Sequence, residues 1–188
     1  TAECTFKNNR IEVKNSAFTI ADSDLDFAGD ITDLISYILK KKNTIDITGK
    51  LKSTYMKFDE LFTLKDTSEG KSAETMPKWI NADLNTNITT FSYDDFIASD
   101  ITGQLIYKNQ SLTGKDISLN SLNGNIAGNF KFYESGKNKL TLFSQLNLKH
   151  LNIRNAFLAF NNFNQDFITA EHIKGIGTAE IEMQATWK

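Results

Sequence analysis

"KLTLFSQLNLK", residues 139 to 149, decides how the chain is read. Leu140, Leu142, Ser144, Leu146 and Leu148 share one parity. Thr141, Gln145, Asn147 and Lys149 share the other, with Phe143 among them. Side chains alternate across a strand, so a period of two marks a strand with one buried face.

The same alternation recurs outward from this stretch. Upstream lie Ile126, Gly128, Phe130 and Phe132, then Ile101, Gly103, Leu105 and Tyr107, then Ile45, Ile47 and Leu51. Downstream, Gly177, Ala179, Ile181, Met183, Ala185 and Trp187 alternate with Thr178, Glu180, Glu182, Gln184 and Thr186. The pattern predicts antiparallel sheet, wet on one face and apolar on the other. Turns at Glu134-Ser135-Gly136 and at Thr113-Gly114-Lys115 are expected to close hairpins.

A second motif is apolar-x-Gly-x-apolar. It appears at Phe27 to Ile31, Ile47 to Leu51, Ile101 to Leu105 and Leu122 to Ile126, with a relaxed copy at Ile173 to Gly177. Glycine between apolar strand positions marks a bulge, a bend or a close approach of backbones. Its return implies one structural unit used several times. Met56 to Phe62, Phe91 to Phe96 and Leu151 to Phe157 share another outline, a strand end running into a short helical turn.

Two helices are expected. Over residues 30–42, Ile31, Leu34, Ile35, Ile38 and Leu39 make a helical stripe. Asp30 is placed to cap it, and Lys40, Lys41 and Lys42 suit its negative end. The second runs roughly from Arg154 to Phe163, where Phe157, Phe160 and Phe163 are spaced as a core-facing stripe. Residues 65–78 are polar and read as a mobile loop.

The whole chain, 188 residues at net charge −2, suits a single domain over 1–188. Lys and Arg are dispersed, which argues against a nucleic-acid partner. Cys4 is the only cysteine, so an intrachain disulfide is excluded. No apolar run approaches the roughly 20 residues needed to span a bilayer as a helix. Starting without Met, the sequence reads as a piece of a longer protein.

Catalytic signatures are weak. Asp22, Asp24 and Asp26 open like a calcium loop, but Phe27 stands where glycine is required and Asp33 where Glu is, so a solvated turn is expected. Asp94-Asp95 recurs as Asp59-Glu60 in the same repeat, which favours helix N-terminal charge over acid–base work. His150 and His172 with one remote cysteine do not make a zinc set. There is no nucleophile elbow, phosphate loop or dinucleotide fingerprint. No cofactor or metal is expected, and no enzymatic activity.

"FNNFNQDFITAEHIKGIGTAEIEM", residues 160 to 183, resembles the C-terminal region of AsmA-like proteins, especially those of Bacteroidetes. "ITGKLKSTYMKFDELF" (47 to 62) and the strand succession from Leu84 to Phe132 are similar to the same family. Asn164 and Asn125 stand where relatives often carry glycine. The resemblance implies a relation to repeating β-groove lipid transfer proteins. It further implies a periplasmic location tethered to the inner membrane by segments outside this sequence. The implied role is phospholipid transport to the outer membrane, or its assembly, with lipid, membrane and envelope assembly proteins as partners.

The expectation is therefore mainly β: a curved antiparallel sheet or groove, or a sandwich-like fold, with two or three short helices. A lipid-binding groove would be lined by Leu105, Ile126, Phe130, Phe132, Leu140, Leu142, Leu146, Leu148, Ile181 and Met183. Phe157, Phe160 and Phe163 would close one end. The alternative is a structural β-sandwich, a spacer or an assembly platform for outer-membrane proteins.

Overall fold

The computed structural model describes residues 2–57, 76–136 and 139–187. Ten strands form one sheet in sequence order: β1 (Ala2–Lys7), β2 (Arg10–Ile20), β3 (Ser23–Thr32), β4 (Ile45–Lys57), β5 (Ile80–Tyr93), β6 (Phe96–Lys108), β7 (Ser111–Ser121), β8 (Gly124–Gly136), β9 (Lys139–Asn152) and β10 (Ile176–Trp187). The sheet is curved and not closed into a barrel, and among the described residues no second sheet packs on it. The groove form of the expectation is the one adopted.

Eight of the nine strand pairs are antiparallel, but β4 and β5 run parallel, from Ile45↔Ile80 to Lys57↔Ser92. This one pair departs from the antiparallel pattern expected. Parallel neighbours need a crossover of a dozen residues or more, whereas a hairpin needs two. Residues 58–79 supply that connection, and the expected loop at 65–78 lies outside the described residues except at 76–78.

Register carries one parity across the whole sheet. Leu148 pairs with Ile126 and with Ala179, and Leu146 with Gly128 and Ile181. The row continues through Leu119↔Ile126 and Leu105↔Gly114 into Leu84↔Leu105, Gly49↔Leu84, Gly29↔Gly49 and Val13↔Gly29. Apolar and small residues thus face one side from β2 to β10. The other side carries Asp30, Thr48, Asp83, Gln104, Lys115, Asn147 and Glu180. Leu25, Met56 and Ile88 are buried together on β3, β4 and β5, with Leu51, Phe91 and Ile101 against them.

Glycines on the apolar face permit this curvature. A Cβ on Gly49 would lie 2.8 Å from Gly29 Cα, so neither position accepts a side chain. At Gly114 the Phe130 ring occupies the space a side chain would take. Gly114 therefore lies inside β7, not in the expected turn. The turn is at Asn109-Gln110, both left-handed. Leu122 and Asn123, also left-handed, make a two-residue hairpin turn before Gly124.

The helices are shorter than the stripes suggested. α1 covers only Leu34–Ile38. Asp30 and Ile31 belong to β3, paired with Thr48 and Ile47, so the sheet takes the first turn of the expected helix. Asp30 holds Arg10 through two contacts of 2.6 and 2.8 Å, and no side chain caps α1. Lys42 bonds Asp33 at 2.6 Å. α2 covers Ile153–Ala159, and a 3-10 segment covers Asn161–Asn164. The strand-to-helix outline holds at 151–157. At 91–96 it fails, because Tyr93↔Phe96 closes a hairpin over Asp94-Asp95. Residues 58–62, with Asp59 and Glu60, lie outside the described residues.

Candidate functional site

The ten residues expected to line a groove all occupy the apolar face. Phe130 and Met183 both pair with Ser144, Phe132 with Leu142, Glu134 with Leu140, Ile126 with Leu148 and Ile181 with Leu146. Leu105 joins them through Gly114↔Phe130. The row is covered unevenly. Ser144 at its centre is 2% exposed, while Ile181 and Met183 on the last strand are 37% and 41% exposed. The Ser144 hydroxyl and that of Ser53 are buried without a hydrogen-bond partner.

One end of the sheet carries α1 and residues 76–79. Met76 is buried, and the Tyr107 hydroxyl donates to Pro77 O at 2.5 Å. Burial, with the Glu134 carboxylate adding to it, raises the Tyr107 phenol above its ordinary pKa. Tyr37 and Trp79 approach ring to ring at 6.2 Å.

The opposite end carries the phenylalanines. Asn152 caps α2 by accepting from Asn155 N at 3.1 Å. After α2, Asn161, Asn162, Phe163 and Asn164 are consecutively left-handed, which turns the chain back sharply. Two amide side chains hold the turn. Gln165 Nε2 donates to Asn162 O at 2.9 Å and to Ile168 O, and its Oε1 accepts from Ile168 N at 2.9 Å. Asn162 Oδ1 accepts from Ala170 N at 2.9 Å.

Phe157 and Phe163 meet edge to face at 5.1 Å, Phe160 stacks on Phe163 at 5.6 Å, and Phe160 stacks on Phe96 of β6 at 5.8 Å. The rings are brought together, but not as the expected core stripe. Phe160 and Phe163 are 47% and 56% exposed, and Phe167 is 81% exposed. The left-handed turn breaks the helical spacing after Ala159. Sequence reasoning missed Phe96, Gln165 and Asn162. The Asn-Asn-x-Asn run was the available signal, since asparagine tolerates left-handed backbone better than most residues.

A cleft of about 810 Å³ opens near this end between β6 and β9, with Ser99, Asn120, Ser121, Asn125, Lys149 and His150 in its wall. Its serines are engaged elsewhere: Ser121 Oγ donates to Ile97 O at 2.5 Å and Ser99 Oγ to Asp100 at 3.1 Å. The cleft lies at the strand ends and is of mixed character, since Ile97, Ala98 and Leu122 also line it. His172 contacts the Thr169 hydroxyl at 3.1 Å. Asp24, read as part of a solvated turn, instead lies in β3 and accepts from Thr54 N and Tyr55 N at 2.9 and 2.6 Å. Those two bonds hold its carboxyl below the usual pKa. Among the described residues no cluster of three metal-ligating side chains occurs, and no helix is long and apolar enough to cross a membrane.

No family model, curated protein or solved structure matches this chain.

Proposed function

We propose that the sheet is a lipid-binding segment, a stretch of conduit along which acyl chains lie against the apolar face. The single observation that carries this reading is the mainly apolar face kept from β2 to β10 through the register shifts, with no second described sheet to cover it. An acyl chain laid there is favoured by about 0.8 kcal/mol per CH2 withdrawn from water. Such a surface needs no acid, base or nucleophile, and the reading is non-enzymatic. The resemblance to AsmA-like proteins supports the same reading. It adds a periplasmic setting, an inner-membrane tether outside this sequence, and phospholipid on its way to the outer membrane as cargo.

Native mass spectrometry after gentle purification tests it. The chain is expected to carry phospholipid, and Ile181→Asp with Met183→Asp to carry far less while melting normally. A chain that neither retains lipid nor takes it up from offered vesicles would end the conduit reading.

A further inference from the structure

The segment between α2 and β10 presents a second apolar surface. Phe163 and Phe167 are 56% and 81% exposed, and Leu158 and Ile168 are 55% and 43% exposed. From Asn155 to Gln165 no residue is charged. Apolar exposure concentrated in so short a stretch marks a surface that meets something.

The surface is held in place. Left-handed backbone is unfavourable for residues other than glycine, less so for asparagine, and Phe163 is one of four in succession. The Gln165 and Asn162 side-chain bonds offset that cost and fix the reversal that exposes the rings. Phe160 continues the surface inward, since it stacks on Phe96. Phe96 shares the apolar parity of Ala98 at the head of β6, so the patch and the apolar face are contiguous.

We propose that this segment is the bilayer-contacting tip of the protein, with the Phe163 and Phe167 rings entering the boundary between headgroups and acyl chains. It rests on the reading of the apolar face as a lipid path, and it gives that path a mouth. A bilayer accepts exposed aromatic rings without a shaped counterpart. Along the chain the flanking charges are of mixed sign, Arg154 before the uncharged stretch and Asp166, Glu171 and Lys174 after it, with Asp166 beside Phe167. Contact therefore depends on the rings more than on anionic lipid.

Vesicle flotation tests the tip. The chain is expected to float with phosphatidylcholine vesicles, and to float similarly when phosphatidylglycerol is added. Phe163→Ser with Phe167→Ser should lower the bound fraction at least about tenfold, because each ring loses more than the ~1.4 kcal/mol that a factor of ten represents. Its melting curve should stay close to the parent's, since Phe167 is exposed and Phe163 gives up only its half-exposed contacts with Phe157 and Phe160. The proposal is overturned if the parent stays unbound, if the double variant floats equally well, or if the substitutions only dissociate a self-associated parent. Lipid carriage, measured on the same samples by mass spectrometry, separates the two readings. A double variant that carries lipid but does not float supports the tip. A parent that floats but carries nothing supports the tip and removes the path.

Discussion

The inner strands β3 to β5 and the strands that end at β10 follow one alternation, yet the apolar side chains of β10 stay half exposed. In the first group Leu25, Met56 and Ile88 are 7%, 8% and 5% exposed. In the second, Ile181 and Met183 are 37% and 41% exposed. Two local features account for the difference. The Gly29–Gly49 contact brings β3 and β4 close, and Leu25, Met56 and Ile88 pack together with Leu51, Phe91 and Ile101 against them. β10, by contrast, has a described neighbour on one side only. Alternation determines which face is apolar. Whether that face becomes core or surface depends on small residues and on neighbours.

The comparison breaks most readily at the glycine pair. Gly49→Val is expected to destabilise the fold by about 3 kcal/mol or more, because its side chain meets the Gly29 backbone. Urea unfolding should show a lost or severely lowered transition. An unchanged midpoint would mean the two strands are not in close contact.

A like-for-like test follows. Ile88→Ala should cost about 2–5 kcal/mol, and Ile181→Ala less than about 1 kcal/mol, although both remove the same atoms from the same face. Equal costs would erase the distinction between the regions.

Asp24 sharpens the first region. Its carboxylate accepts the Thr54 and Tyr55 amides. A depressed folded-state pKa contributes stability above the ordinary carboxylate value, and that contribution disappears as pH falls through the folded value. Asp24→Asn should therefore be less stable at neutral pH, by on the order of 1 kcal/mol. The gap between variant and parent should close in acid, and a gap constant with pH would refute the assignment.

The smallest effect is expected at Ser144. Its hydroxyl is buried without a partner, so Ser144→Ala should be neutral or stabilising by a few tenths to about 1 kcal/mol. A marked loss in thermal unfolding would reveal a bond the geometry does not contain.

Much of the sheet was legible because its signal is local. Leu140 to Leu148 announces a strand without knowledge of any partner, and all ten expected lining residues share a face. The parallel junction was not legible, because the polar stretch after Leu64 shows a long connection and not its direction. Ile31 misled for a definable reason: it completes both the helical stripe with Leu34 and Ile35 and the alternation with Phe27 and Gly29. Pairing with Ile47 decided the contest. The phenylalanine segment shows the converse, where spacing suggested a straight helix and three asparagines permitted a reversal.

The parallel pair β4–β5 has a kinetic consequence. It divides the strands into an N-terminal meander of four and a C-terminal meander of six. Two pairings join distant residues: the seam, where Asn81 bonds Asp46 across 35 residues, and the β9–β10 pair, closed over residues 153–175, where Thr141 meets Thr186 across 45. Loop-closure entropy delays such pairing, so β1–β4 and β5–β9 should nucleate separately, with the seam and β10 joining later.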